Sequence, residues 1–68
     1  MNDDTFNMSI RKFLKVVGVN SQREIEQAVA QALASGAISG NERFPAKMTL
    51  VVGGIGLNVS YDGEIALS

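Results

Sequence analysis

Cysteine and histidine are both absent from the 68 residues of this chain. Disulfides and the usual zinc or haem ligand sets are therefore excluded. Without an imidazole or a thiol, none of the serines has an evident general base, so the sequence predicts no enzymatic activity and no cofactor. A chain of this length buries only roughly 60% of its unfolded surface, and its stability has to come from close local packing or from association. We expect a single small α+β domain over residues 1–68.

Charge is also scarce, because six basic and seven acidic residues leave a net charge of −1. A dedicated binder of nucleic acid or of anionic membranes normally has a clear basic excess. No segment approaches the ~20 apolar residues of a membrane span, and the first residues are acidic where a signal peptide is basic. These absences predict a cytoplasmic protein with no membrane partner and no small-molecule substrate, and they disfavour nucleic acid.

Two segments repeat apolar residues at helical spacing. The stripe of the first segment consists of Phe6, Ile10, Phe13, Leu14 and Val17. Gly18 is a natural helix end, and Ser21-Gln22-Arg23-Glu24 fits a capping box that opens a second helix. The stripe of that second helix consists of Ile25, Ala28, Val29, Ala32 and Leu33. Ser35-Gly36 ends it, so the pattern predicts two amphipathic helices.

The apolar period changes to two after Pro45, which indicates strands. A two-residue turn at Gly53-Gly54 places Val52 opposite Ile55. The same register predicts two further apolar pairs, Leu50 with Leu57 and Met48 with Val59. A second turn at Asp62-Gly63, with a bulge, leads into a third strand from Glu64 to Leu67. The predicted fold is therefore ααβββ: two N-terminal amphipathic helices packed on one face of a three-stranded antiparallel β-meander.

The stretch VVGGIGLNV also invites comparison with a phosphate-binding loop. Gly54 and Gly56 match the first two glycines of a dinucleotide fingerprint, but Val59 stands where the third belongs. A strand pattern follows instead of a helix, so no helix N-terminus is available for a phosphate. The stretch is therefore interpreted as a hairpin turn, in which Gly56 has no assigned role.

Four basic residues are the candidate contacts to an anionic partner: Arg11, Lys12, Lys15 and Arg23. The segment from Leu14 to Ser21 resembles the glycine turn of helix-turn-helix proteins, and the hairpin could serve as a wing. Glu24 and Glu26 in the would-be recognition helix oppose phosphate binding. A weak nucleic-acid-binding, winged-helix-like domain is therefore the alternative hypothesis.

The outer face of the second predicted helix is poor in charge and is the candidate protein interface: Gln27, Ala30, Gln31 and Ala34. The edge strands could also bind a partner by strand addition. The favoured hypothesis is a small non-enzymatic protein-interaction or regulatory module. Its partner is either another protein or a second copy of the chain, which would compensate for the small core.

Four segments together resemble a short proteobacterial protein family of unknown function: FNMSIRKFLKVVGVNSQREIEQAV, FPAKMTL, GGIGL and GEIAL. The resemblance covers almost the whole chain. It implies a bacterial cytoplasmic origin, and it implies no activity and no site residues.

Overall fold

The computed structural model describes residues 1–68 and consists of one helix followed by a β-hairpin. Its elements are α1 (Asp3–Ala34), β1 (Arg43–Val52), a 3₁₀ turn (Gly53–Ile55) and β2 (Leu57–Ala66). The fold is α+β with the order αββ, so the prediction of two helices on a three-stranded meander is wrong. The chain divides into two compact units, Met1–Ala37 and Ile38–Ser68, and each is described by itself. That the two form one domain stays a prediction.

The start of α1 is determined by Asn2. Its side-chain Oδ1 accepts a hydrogen bond from the backbone N–H of Thr5 at 3.0 Å, which satisfies one of the free donors of the first turn. Asp3 and Asp4 occupy that turn, where a carboxylate is favoured by the helix dipole. Both carboxylates therefore stabilise the start of α1.

α1 continues through the position where the sequence predicted a break, so the stop at Gly18 and the capping box at Ser21 are wrong. Gly18 has no positive φ, and the Asn20 side-chain amide donates to the carbonyl oxygen of Val16 at 2.8 Å, inside the helix. A second helix would need a new, unfavourable nucleus. A glycine inside a helix costs only about 1 kcal/mol relative to alanine, so continuation is the better solution.

The C-terminal end of α1 was predicted correctly at Ser35-Gly36. Gly36 has a φ of 77°, which is the left-handed conformation that a glycine adopts freely. Its N–H donates to the carbonyl oxygen of Leu33 at 3.2 Å, and the N–H of Ala37 donates to that of Ala32 at 3.0 Å. These two bonds form a Schellman motif and satisfy carbonyl groups of the last turn.

The hairpin pairs all ten residues of each strand, from Arg43 opposite Ala66 to Val52 opposite Leu57. The predicted two-residue turn is wrong, because Gly53 to Gly56 all lie in the loop. Gly56 adopts the left-handed conformation with a φ of 67°, and its N–H donates to the carbonyl oxygen of Gly53 at 3.2 Å. The register therefore shifts by two residues. Because the shift is even, the same side chains stay on the apolar face.

No second turn occurs at Asp62-Gly63, and the predicted third strand is the second half of β2. The reason lies in β1, which begins at Arg43 and is long enough to pair with β2 over its whole length. Glu64 strengthens this pairing, since its Oε1 accepts a hydrogen bond from Arg43 Nη1 at 2.9 Å. Pro45 is tolerated inside β1 because one edge of this strand is free and does not need a donor.

Neither unit contains a buried residue. The least exposed residues are half-buried, and on the hairpin most of them have apolar side chains. Within each unit taken alone, the apolar side chains that the sequence pattern identified therefore form an open face. The two candidate sites of this protein are the apolar faces of the two units.

Candidate interaction surfaces

One face of the hairpin is almost entirely apolar. Successive side chains of a strand point to opposite faces, so the register defines this face. We call it the apolar hairpin face: Phe44, Ala46, Met48, Leu50 and Val52 of β1, with Leu57, Val59, Tyr61, Gly63 and Ile65 of β2. Tyr61 is 63% exposed, and Met48 and Val52 are exposed as well. These side chains cover too little of one another to complete a core.

A groove crosses the apolar hairpin face where two small residues meet. Ala46 lies directly opposite Gly63, and the neighbouring pair of Met48 and Tyr61 stands on one side. Ile65 stands on the other side, and the depression has a volume of about 280 Å³. Its lining is completed by Lys47, Asp62 and Glu64. Because its two floor residues have at most a methyl group, the groove has room for an apolar side chain from outside the hairpin.

The opposite face of the hairpin is satisfied by its own polar pairs. Arg43 forms an ion pair with Glu64, and Lys47 lies directly opposite Asp62. The hydroxyl oxygens of Thr49 and Ser60, which also lie opposite each other, are 3.0 Å apart. Such cross-strand pairs contribute roughly 0.2–1 kcal/mol each in contact with water. The apolar hairpin face has no such polar pairs.

The loop before β1 is organised around the carboxylate of Glu42. Its Oε2 accepts the N–H of Ser39 at 2.8 Å, and its Oε1 accepts the N–H of Gly40 at 2.9 Å and that of Asn41 at 3.1 Å. The Ser39 N–H, followed by the Gly40 N–H, lowers the pKa of this carboxyl from 4.5 to about 2. Because its oxygens already accept backbone hydrogen bonds, the carboxylate has a structural role.

We predict that acid loosens this loop and that Glu42→Gln removes the effect. A lowered folded-state pKa stabilises the loop above pH 4.5, and this contribution is lost as the pH falls toward 2. In NMR titrations the amide signals of Ser39 and Gly40 should therefore move over this range in the natural chain and stay still in Glu42→Gln. The matched control is Glu64→Gln. The carboxylate of Glu64 contacts Arg43 and not this loop, so its removal should leave the titrations of Ser39 and Gly40 unchanged. Identical titrations in the natural chain and in Glu42→Gln would contradict the assignment.

The predicted contact residues all lie on α1 and are all exposed. They are the basic residues Arg11, Lys12, Lys15 and Arg23 and the charge-poor residues Gln27, Ala30, Gln31 and Ala34. Because α1 is continuous, Lys12 and Arg23, eleven residues apart, share a side, and Ala30 and Ala34 lie on it too. Both sets stay predictions as contact sites. The segment from Leu14 to Ser21 is helical, so the turn that a winged-helix-like domain requires does not exist.

A second apolar surface follows α1 on the side away from these residues. We call it the helix stripe: Phe6, Ile10, Phe13, Val17, Ser21, Ile25, Ala28 and Ala32. Phe13 is 50% exposed and Ile25 is 39% exposed. Seven of these eight residues belong to the two apolar stripes that the sequence predicted as core. The other members of those predicted stripes, Leu14, Val29 and Leu33, lie along one margin of the helix stripe. Periodicity alone does not tell a core from an interaction surface, and the exposure of these side chains within the unit makes the stripe a candidate surface.

A long capped helix and a hairpin, each with an open apolar face, define this chain as a small αββ protein. It belongs to DUF6494, a family of unknown function, whose model matches residues 1–68. The resemblance to a family of unknown function is thereby confirmed, and the bacterial origin stays a prediction. No curated protein and no solved structure matches the chain. The apolar stretches of α1 are too short to cross a membrane.

Proposed function

We propose that this chain is a non-enzymatic protein-interaction module whose apolar hairpin face and helix stripe are covered by another protein chain. The observation that carries the proposal is the absence of any buried side chain in a sequence that is 46% hydrophobic. Burial of a large apolar side chain stabilises by roughly 1.5–3 kcal/mol, so uncovered faces of this size favour association.

The hairpin unit taken alone supports the same proposal. Its two strands form a single layer, so no second layer of this unit covers the apolar hairpin face. Several apolar side chains on that face are exposed, among them Tyr61 at 63%, Met48 at 45% and Val52 at 40%. Exposed apolar faces of this kind mark protein–protein interaction sites.

The chemistry of the hairpin favours a protein as the occupant. The charged side chains of the hairpin are of both signs, since Arg43 forms an ion pair with Glu64 and Lys47 lies opposite Asp62, so they offer little to a phosphate backbone. The groove over Ala46 and Gly63 suits an apolar side chain, and a two-stranded hairpin in water is at best marginally stable alone. A partner that covers this face would supply the packing that it lacks. A cytoplasmic location, predicted from the composition, is part of this proposal.

Photo-crosslinking at Tyr61 tests whether the apolar hairpin face contacts a protein. We expect that benzoylphenylalanine at position 61 forms a covalent adduct with a protein in cells that naturally make the chain, because this side chain stands beside the groove. The matched control carries the same group at Ser60, on the polar face. Mass spectrometry should find several-fold more adduct at position 61 than at position 60. Equal yields, or no adduct at position 61, would refute the proposal.

Gly63→Val tests the groove itself. A Cβ at Gly63 meets no atom within 4 Å, and valine favours strands, so the hairpin should form while the groove is filled. We expect a several-fold loss of the adduct at position 61. Asn58→Val is the matched control, because it adds the same side chain to the polar face and should retain the adduct. An unchanged adduct in Gly63→Val, with the hairpin intact by NMR, would exclude the groove as the contact.

A further inference from the structure

The helix stripe has a spacing that reads the same in both directions. Its eight members, from Phe6 to Ala32, follow one another at intervals of 4, 3, 4, 4, 4, 3 and 4 residues. The average of about 3.7 residues is slightly larger than the 3.6 residues of a helical turn, so the stripe drifts around α1 by about 80° from its first member to its last. The centre of this pattern lies at the level of Val19. If a second copy of α1 runs antiparallel beside the first, with the two Val19 residues at the same height along the axis, each stripe member of one copy lies at the height of a stripe member of the other.

In the antiparallel arrangement, large side chains at the ends of one stripe face small side chains of the other. Phe6 then lies at the level of Ala32, and Ile10 lies at the level of Ala28. The two central levels combine Phe13 with Ile25 and Val17 with Ser21. Facing side chains fill space well when a large one meets a small one. A parallel pair would instead stack phenylalanines at one end and alanines at the other, which leaves a gap at the alanine end.

The charged side chains of α1 leave this surface free. Helical spacing directs Lys12, Lys15 and Arg23 away from the helix stripe, and the charged residues at its margin, Asp3 and Glu24, are both acidic. Two copies can therefore approach along the stripe without burying a basic side chain. Burial of an unpaired charge is the main cost that would oppose such contact.

We infer that a second copy of this chain covers the helix stripe, with the two α1 helices antiparallel about a two-fold axis at the level of Val19. The inference rests on the proposed function and identifies the partner that covers α1. The stripe extends over 27 residues, and its first and last members are about 39 Å apart along the axis at 1.5 Å per residue. Each chain contributes the same surface, as a two-fold symmetric dimer requires.

Distances between spin labels test the arrangement in the purified full-length chain. The chain has no cysteine, so Met8→Cys and Val19→Cys each provide one attachment site, and both residues are exposed on the side away from the stripe. In an antiparallel pair the two labels at position 19 lie at the same level. The labels at position 8 are offset along the axis by about 33 Å. Double electron–electron resonance should therefore give a clearly shorter distance at position 19 than at position 8. Equal distances at both positions, or no inter-chain distance, would overturn the inference.

A pair of size exchanges tests the facing residues. Ile10→Ala leaves a cavity opposite Ala28 of the second copy, and Ala28→Ile overfills the same level, so each variant should weaken dimerisation by about tenfold or more. The double variant exchanges the two sizes and should recover most of the affinity. Sedimentation equilibrium measures the three dissociation constants. If the double variant loses as much dimerisation free energy as the two single variants together, positions 10 and 28 do not face each other.

The two proposals fail in different ways. A purified chain that stays monomeric, and yet forms the adduct at position 61 with a different protein in cells, would overturn self-association and retain the interaction module. A dimer with the expected label distances but without any adduct at position 61 would retain the helix pair and refute the role of the apolar hairpin face.

Discussion

Gly18→Ala should increase the helix content and the thermal stability of α1, whereas Gly18→Pro should unfold the middle of the helix. Gly18 lies inside α1 without a positive φ, and an added Cβ meets no atom within 4 Å. Alanine should therefore stabilise the helix by about 1 kcal/mol. Proline removes one hydrogen bond and clashes with the preceding turn, at a cost of about 3 kcal/mol or more. Far-UV circular dichroism during thermal unfolding measures both effects.

The matched control for Gly18→Ala is Gly36→Ala at the end of the same helix. Gly36 has a φ of 77°, so alanine there should destabilise the helix end by roughly 1–2 kcal/mol. Glycine-to-alanine substitution should thus stabilise α1 at position 18 and destabilise it at position 36. If α1 were broken at Gly18, as the sequence suggested, both substitutions would destabilise. Loss of helix content in Gly18→Ala would therefore contradict the continuous helix.

Gly56→Ala should destabilise the hairpin by roughly 1–2 kcal/mol, because position 56 holds the left-handed conformation that closes the loop. Gly54→Ala should be neutral or should stabilise by about 0.4–1 kcal/mol, since Gly54 has no positive φ and open space around its Cα. The hairpin population, followed by NMR during denaturant unfolding, gives the two free energies.

Gly56→Asn distinguishes the backbone conformation from a packing effect. Asparagine tolerates the left-handed region better than alanine does, so Gly56→Asn should recover part of the stability that Gly56→Ala loses. A two-residue turn at Gly53-Gly54 would reverse the order, with Gly54→Ala the damaging change. If Gly54→Ala lowers the stability of the hairpin more than Gly56→Ala does, the four-residue loop does not form in solution.

The hairpin shows which part of a sequence prediction is robust. The alternation of apolar residues determined which side chains share a face, and an even shift of register left that assignment correct. The turn was placed within Gly53-Gly54-Ile55-Gly56, but the number of loop residues depends on which glycine takes the positive φ. Asp62-Gly63 has strong turn chemistry, and pairing along all ten residues of β1 outweighs it.

The sequence predicted which residues form the two candidate surfaces better than it predicted what covers them. The stripe from Phe6 to Ala32 and the apolar face around Tyr61 follow from periodicity, which reports that a side chain avoids water. Periodicity does not report whether the cover comes from the same chain or from another. The groove over Ala46 and Gly63 needs the true register, because the sequence placed Gly63 in a turn.

Local signals in the sequence correctly predicted the types of element, the apolar sides of the helix and the strands, and the glycine end of α1. These features depend on neighbouring residues, through caps, turns and side-chain period. The structure decided that one helix crosses Gly18, that two strands pair over their whole length and that no side chain is buried. Local signals worth about 1 kcal/mol each yield to the cooperative hydrogen bonds of an uninterrupted element.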